Sequence, residues 1–371
     1  IPATELGAIV IKELLRRSKI EKEDIDYVIF GMAIQTGAGP VPTKQAMEKA
    51  GLPQNINFLN IANACSSALR GLSIAKLLIE AKEAEIIIVG GMENMSSVPY
   101  LLKKARWGYR LGADVLLDGL HYDGLVWPTY SAHMGVFAGW VAKEYGISRE
   151  EQDRWALRSH QLAVKAWEEG KFKEEVLPIT IPQKKGEPIV LSRDEPPRPD
   201  TSYEKISALP PVFEKDGTIT AGNSPGLNDG AAGVIITSGR KAKELGIKPL
   251  ARIISTGCAS DDPKYISRTP AFAIEKALKK IKLTLSDMDL IEINEAFAVV
   301  PLVSGKILGI KDYDKVNVNG GAVAIGHPVS ASGIRILGTL ILELRRRNLK
   351  YGVCGICGAG SSGDAAVVEI I

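Results

Sequence analysis

The chemistry in this chain is expected first at Cys65, in the run Asn63-Ala-Cys-Ser-Ser-Ala-Leu. An apolar-periodic stretch follows at once. The sulfur should therefore lie near a helix N-terminus, where unpaired N–H groups and the dipole favour a thiolate and lower the thiol pKa. The plain alternative is a small buried core residue. His327 closes a glycine-rich turn, Asn319-Gly-Gly-Ala-Val-Ala-Ile-Gly-His-Pro. Backbone can approach a ligand closely there, and Pro328 stiffens the loop. A neutral imidazole in that place can deprotonate a thiol, donate to a developing oxyanion, or simply be structural. Cys357 ends a C-x-x-C in Cys354-Gly-Ile-Cys-Gly-Ala-Gly-Ser-Ser-Gly. Redox or zinc chemistry needs a second pair or a histidine cluster, and neither is in the sequence. The glycines suggest instead a backbone nest opposite a reacting carbonyl, with the thiol as a base. Asn294, in Asn-Glu-Ala-Phe-Ala, offers an amide at the end of a buried strand, or a helix cap. The run Thr220-Ala-Gly-Asn-Ser-Pro-Gly-Leu-Asn-Asp-Gly is explained by tight-turn composition alone.

The elements that must hold these residues come in two copies. Lys12–Gly31 resembles Glu275–Asn294 at constant offset, with Asp24 and Asp26 falling on Asp287 and Asp289. Each copy reads as helix, loop and a strand of continuous apolar character, Tyr27–Phe30 or Leu290–Ile293, suited to burial on both faces. SALRGLSIAKLL from Ser67 matches SGIRILGTLILE from Ser332. A duplication of this kind predicts two α/β halves with mixed sheets whose equivalent loops face one another. Cys65 and His327 sit in those loops. Between the copies, Ser96–Pro211 has no counterpart and holds all five tryptophans and three of the four histidines. It reads as an insertion covering the substrate. Within it Ser148-Arg-Glu-Glu151 is a capping box opening a helix to about Glu169, and Glu187–Pro211 is an extended connection.

Composition narrows the function classes. The chain has 371 residues, 45% hydrophobic and 24% charged, enough for a large core and two or three packed units. With 46 basic and 43 acidic side chains the formal charge is +3, too small to argue for nucleic acid or an anionic membrane surface. No apolar run approaches the roughly 18 to 20 residues of a spanning helix. Four irregularly spaced cysteines are not a disulfide framework, so a reducing, cytoplasmic setting is expected. Residue 1 is Ile, so the natural start, with any targeting peptide, is expected upstream.

The strings NACSSALRG, GGMENMS, SAHMG, GTITAGNSPGLNDGAA, NEAFA, NGGAVAIGHP and CGAGSSG, in this order over nearly the whole chain, are similar to the thiolase family. The resemblance implies a duplicated five-layered α-β-α-β-α fold with an inserted loop domain. The halves would be 1–95 with 228–248 and 249–371, around a CoA-binding insertion 96–227. It implies an acyltransferase of lipid metabolism acting on acetyl-CoA and 3-ketoacyl-CoA, acetoacetyl-CoA first, as a homodimer or homotetramer. Coenzyme A thioesters are its substrates, and no metal or redox cofactor is implied. Cys65 matches the acylated nucleophile, His327 its activator, and Cys357 the acid/base that serves the α-carbon. His327, with a water on Asn294, matches one oxyanion hole; the N–H groups of Cys65 and Ala359 match the other. His133 and Met134 match positions beside the thioester and pantetheine. Arg198 matches a CoA-contacting arginine, and Ser224 would substitute for a CoA-contacting serine that falls here on Pro225.

The chain departs from the family pattern at Ser330, Ala359, Ser361 and Ser362, changes expected to narrow the pocket or alter its hydration. The usual first strand with its Arg-Thr-Pro element has no counterpart before Ile1, leaving one half without an expected partner. Two other readings compete. A decarboxylating ketoacyl synthase of related fold is opposed by Cys357 and the Gly-His-Pro histidine. A non-catalytic acyl-CoA-binding or scaffold protein would bind acyl-CoA without forming an adduct.

Overall fold

The computed structural model describes residues 1–371. In the first half, helix α1 (Ala3–Ser18) leads to strand β1 (Tyr27–Gly31), helix α2 (Pro42–Ala50), strand β2 (Asn57–Ile61), helix α3 (Ser67–Glu80) and strand β3 (Ile86–Asn94). The insertion carries helices α4 (Met134–Glu144) and α5 (Arg149–Glu168), after which strand β4 (Asp229–Thr237) returns to the first sheet. The second half runs β5 (Arg252–Ser260), α6 (Thr269–Lys280), β6 (Leu290–Ile293), α7 (Val299–Leu308), α8 (Ser332–Arg346), β7 (Tyr351–Gly358) and β8 (Ser362–Glu369).

The first sheet has the order β4-β3-β1-β2 and the second β5-β8-β7-β6. Both are mixed: β1 runs parallel to β2 and β3, and β6 parallel to β7, while β4 and β8 are antiparallel to their neighbours. The repeat is visible atom by atom. Asp26 Oδ2 accepts the N–H groups of Glu85 and Ile86 at 2.7 and 2.9 Å, locking β1 to the start of β3. Asp289 Oδ2 accepts those of Lys350 and Tyr351 at 2.9 and 2.8 Å, locking β6 to β7 in the same way.

Three apolar cores give five layers. One lies between α1, α2 and the outer face of the first sheet. A central one holds Leu69 and Leu72 of α3 and Ile336, Leu337 and Leu340 of α8 between the two sheets. The third joins the second sheet to α6, α7 and the inserted helices α4 and α5. The predicted capping box is present, Ser148 and Glu151 each bonding the other's backbone N–H at the start of α5. The connection 187–211 is less extended than its prolines suggest. Ile189–Leu191 pairs with Ile179–Ile181, and Tyr203–Ser207 makes a short helix capped by Ser202, because those residues lie between the prolines.

One strand differs from its counterpart. β8 is paired on both sides, by β5 and β7, and its interior is fully buried. β4 is paired only by β3, and all nine of its residues keep some exposure. A cavity of about 630 Å³ runs beside it. The outer edge of β4 is thus open where β5 covers the equivalent edge of β8.

Candidate active site

Cys65 lies in a single 3₁₀ turn, Ala64–Ser66, that delivers the chain into α3. The turn is tight. Ala64 has φ 49°, a left-handed conformation costing a non-glycine residue about 1–2 kcal/mol. Hydrogen bonds hold it there: Ser67 Oγ accepts from Asn63 N–H (2.8 Å) and donates to Ala64 C=O (2.6 Å). The second half repeats the device, a 3₁₀ turn Val329–Ala331 ahead of α8, and the two turns touch.

The expectation of a lowered thiol pKa is overturned. Burial, and then the negative charge of Glu93, push Cys65 up to about 12, against a smaller opposing effect of the N–H groups of Cys65 and Ala359. Helix-terminal donors are present, but the sulfur is enclosed by apolar side chains and shares its surroundings with a carboxylate. Cys65 is therefore a thiol at neutral pH and needs a base.

His327 lies two residues before the turn that touches the Cys65 turn. Its ring is buried, and burial and the charge of Arg335 lower its pKa to about 3, so it is neutral. The backbone N–H donates to Asn228 Oδ1 (2.9 Å), and Nδ1 lies 2.7 Å from Ser332 Oγ. That hydroxyl has Pro328 C=O to donate to (3.3 Å), so the network assigns the ring proton to Nδ1 and leaves Nε2 a bare lone pair. Nε2 is buried without a partner. Gly326 makes this loop possible: at φ 102°, a side chain there would place its Cβ 2.6 Å from Asn228 Cγ.

Cys357 sits on β7, fully buried, its thiol raised well above the usual range by burial and by the nearby Cys65. The next residue, Gly358, abuts the nucleophile's turn so closely that a Cβ would lie 2.9 Å from Ser66 Oγ and 3.0 Å from Asn63 O. Asn294 directly follows β6, its N–H bonded to Gly355 C=O at 3.0 Å. It caps no helix: Oδ1 and Nδ2 are both buried and unpartnered. The bare imidazole nitrogen lies on the loop leading into the turn that touches the Cys65 turn, and the bare amide follows the strand paired with β7, which carries Cys357, so both are free to meet a group from outside the chain.

The remaining sequence candidates lie on the insertion and on the turn at Thr220–Asn228. His133 caps α4 by accepting Gly135 N–H (3.0 Å), and its ring stacks on Phe213 at 4.4 Å. Burial lowers its pKa to about 4. Phe213 in turn meets Phe297 edge-on at 6.2 Å, linking the insertion to the Asn294 run. Met134 is buried in the third core. Ser224 has a buried, unpartnered Oγ in a turn that bonds the same run through Asn223 C=O to Ala298 N–H (2.9 Å). Arg198 is exposed, its backbone N–H given to His160 Nδ1 (3.3 Å), and no hydrogen bond joins it to the other candidates. Of the departures, Ser330 does not narrow the pocket through its hydroxyl, which donates to Glu93 Oε2 at 2.7 Å.

Four residues escaped the sequence reading. Asn228 and Ser332 fix His327, and nothing local distinguishes them from turn and cap residues. Glu93 and Glu295 carry a signal, a carboxylate in a run otherwise suited to a core. Glu93 accepts from the N–H groups of Ala33, Ile34 and Ser330 (3.1, 3.1 and 3.2 Å) as well as the Ser330 hydroxyl, tying the segment after β1 to the turn that follows His327. Glu295 takes Trp155 Nε1, Ser159 Oγ, Asn317 Nδ2 and Val323 N–H at 2.7–3.0 Å, fastening the insertion to the loop that carries His327.

A duplicated fold whose paired loops bring a cysteine, a neutral histidine and a second cysteine together is that of the thiolases, and the chain belongs to this family. The thiolase N-terminal domain model matches residues 1–240 and the thiolase C-terminal domain model residues 247–370. It is 47% identical over 370 residues to an acetyl-CoA acetyltransferase of Cupriavidus necator, covering all of this chain and 94% of the relative. It is 44% identical to a probable acetyl-CoA acyltransferase of Staphylococcus aureus, covering 100% and 93%. The crystal structure of the Bacillus anthracis acetyl-CoA acetyltransferase superposes with a TM-score of 0.96 at 41% identity, over 100% of this chain and 93% of that one.

Proposed function

We propose that this protein catalyses thiolysis of 3-ketoacyl-CoA, acetoacetyl-CoA first among them, and the reverse Claisen condensation of acetyl-CoA. The observation that carries the reading is the set of buried, unpartnered groups, His327 Nε2 and the Asn294 amide, placed with two thiols whose own pKa values are raised.

In thiolysis, His327 Nε2 takes the Cys65 proton as the sulfur attacks the C3 carbonyl. The C2–C3 bond breaks, its electrons becoming the enolate of acetyl-CoA. The imidazole, now carrying a proton on Nε2, donates with an Asn294-held water to that enolate oxygen. Cys357 protonates the α-carbon. The thiol of a second CoA gives its proton to the Cys357 thiolate and attacks acyl-Cys65; acyl-CoA leaves, and the expelled Cys65 sulfur takes back its proton from His327 Nε2. Tetrahedral oxyanions on Cys65 are met by the N–H groups of Cys65 and Ala359, donors worth roughly 3 to 4 kcal/mol each. The high pKa of Cys65 keeps it uncharged at rest, so its thiolate forms only as His327 takes the proton. His133, Met134 and Ser224 line the way for the pantetheine arm, and Arg198 receives the nucleotide. CoA thioesters are substrates, and no prosthetic group takes part.

Self-association into a dimer or tetramer is supported by Leu102, Trp107, Leu111 and Val115, which expose more than half of their surface in one inserted segment. Four free cysteines support a cytoplasmic setting. No helix is long and apolar enough to cross a membrane.

The test is CoA-dependent loss of acetoacetyl-CoA, run on the parent, Cys65→Ser and Cys357→Ala. Turnover in the parent, abolished in both variants, is expected, with an acetyl mass on the Cys65 peptide. Acyl-CoA binding with neither turnover nor adduct would establish the scaffold reading instead.

A further inference from the structure

We infer that the indole N–H of Trp127 donates to the amide carbonyl nearest the sulfur of a bound coenzyme A thioester, making Trp127 a substrate-binding residue of the insertion. This rests on the thiolase reading above. Trp127 lies on a short hairpin in which Val126 and Trp127 pair with His133 and Ala132. Its ring reaches the C-terminal glycine loop, where a Cβ on Gly360 would lie 2.8 Å from Cη2 and 3.0 Å from Cζ3. Gly360 has φ 78°, so its backbone and the indole against it both call for glycine. Gly360 directly follows Ala359, whose N–H is one of the two that face the Cys65 sulfur. The indole thus packs one residue away from a donor of the reacting centre.

Hairpin and glycine loop share one anchor, the segment after β5. Tyr130, at the hairpin turn, donates to Asp262 Oδ1 at 2.9 Å, and the N–H of the neighbouring Asp261 donates to Ser361 C=O at 3.0 Å. The ring is therefore held in register with the loop it touches. As a whole the side chain is only partly buried, yet Nε1 is buried without an acceptor. Trp140 and Trp155 give their N–H groups to Glu214 (3.2 Å) and Glu295 (2.9 Å). Trp167 Nε1 also lacks a partner, but that ring packs with Phe172 and under Arg193 at the C-terminal end of α5.

A phenylalanine would fill the contact with Gly360 without burying a donor, so an indole here carries a cost that a ligand acceptor removes. The substrate brings that acceptor. Its acyl carbonyl is met by the N–H groups of Cys65 and Ala359, and a short ethylene link beyond the thioester sulfur leads to an amide. That amide carbonyl is the next strong acceptor along the arm, and Trp127 is the donor beside the Ala359 loop with nothing else to bond.

The experiment compares kcat/KM for thiolysis of acetoacetyl-CoA and of acetoacetyl-N-acetylcysteamine, which keeps only the amide next to the sulfur, in the parent, Trp127→Phe and Trp127→Tyr. Both variants are expected to lose about 3- to 10-fold, in equal proportion on the two substrates. Their Tm without substrate should be no lower than the parent's, since no hydrogen bond of the free protein is deleted. In the parent labelled with ¹⁵N-tryptophan, one indole N–H signal should move downfield on adding CoA, and that signal should be the one missing from Trp127→Phe. Should the variants melt below the parent, the indole spectrum of the parent alone decides. A loss under twofold, a loss confined to acetoacetyl-CoA, or indole signals that do not move downfield with CoA would overturn the proposal. A parent without turnover of acetoacetyl-CoA would instead remove the thiolase reading and the assigned acceptor with it.

Discussion

Replacing Ser332 by Ala removes the one partner of His327 Nδ1, a hydroxyl 2.7 Å away in a buried site. Two states are then open to the ring. The proton can stay on Nδ1 without an acceptor, at a desolvation cost of roughly 1–3 kcal/mol. It can instead move to Nε2, where the ring no longer has a lone pair for the Cys65 thiol. Either way the basic tautomer loses up to that energy, and at 1.4 kcal/mol per decade kcat should fall about 5- to 150-fold. KM should change little, since Ser332 is placed against the ring and not against substrate. Three measurements separate this from a general loss of structure: steady-state thiolysis, the rate of Cys65 alkylation by iodoacetamide, and Tm. Alkylation should slow in parallel with kcat, Ser332→Thr should restore part of both, and Tm should move only a few degrees. Because His327 is held neutral down to about pH 3, and only the neutral ring is a base, the parent should show no histidine limb between pH 5 and 8. A kcat within twofold of the parent in Ser332→Ala, or an activity limb near pH 6.5, would refute the assigned tautomer or the buried state of the ring.

Asn294→Ala deletes an amide with no partner in the chain, so stability should change by less than about 1 kcal/mol while kcat falls roughly 10²- to 10³-fold, read by thermal melting beside thiolysis. Glu93→Gln leaves at least one of four donors facing an amide N–H; it should destabilise the fold by roughly 1–3 kcal/mol and bring the midpoint of Cys65 alkylation below about 12, because the carboxylate charge is one of the two causes holding it high. Burial raises Glu292 to about 8, so its proton is bound in the folded state and released on unfolding near the ordinary value of 4.5. Its contribution is complete below pH 4.5 and lost as pH rises through 8, and Glu292→Gln should lose less Tm than the parent between pH 6 and 9.

Much of this site was legible in the sequence because its chemistry rides on repeated elements. Matching Asp26 to Asp289 and Ser67 to Ser332 was enough to face Cys65 toward His327, since strand order and loop position follow from the duplication. The thiol pKa was misread for a physical reason. Position ahead of a helix is encoded locally, whereas enclosure by Ile34, Leu125 and Glu93 comes from segments up to sixty residues away. Asn228 and Ser332 were hidden likewise, as their importance lies in which ring atom they meet. The amide of Asn294 was legible only as a choice between cap and ligand, and its two unsatisfied atoms decided it.

The nucleophile comes from the first half of the chain, and the base and second thiol from the second. Neither half can acylate itself, so the fold behaves as a two-key lock that turns only when α3 and α8 have closed against each other. A folding intermediate with one half formed exposes Cys65 without His327, so no imidazole is at hand to take the thiol's proton as it meets a thioester.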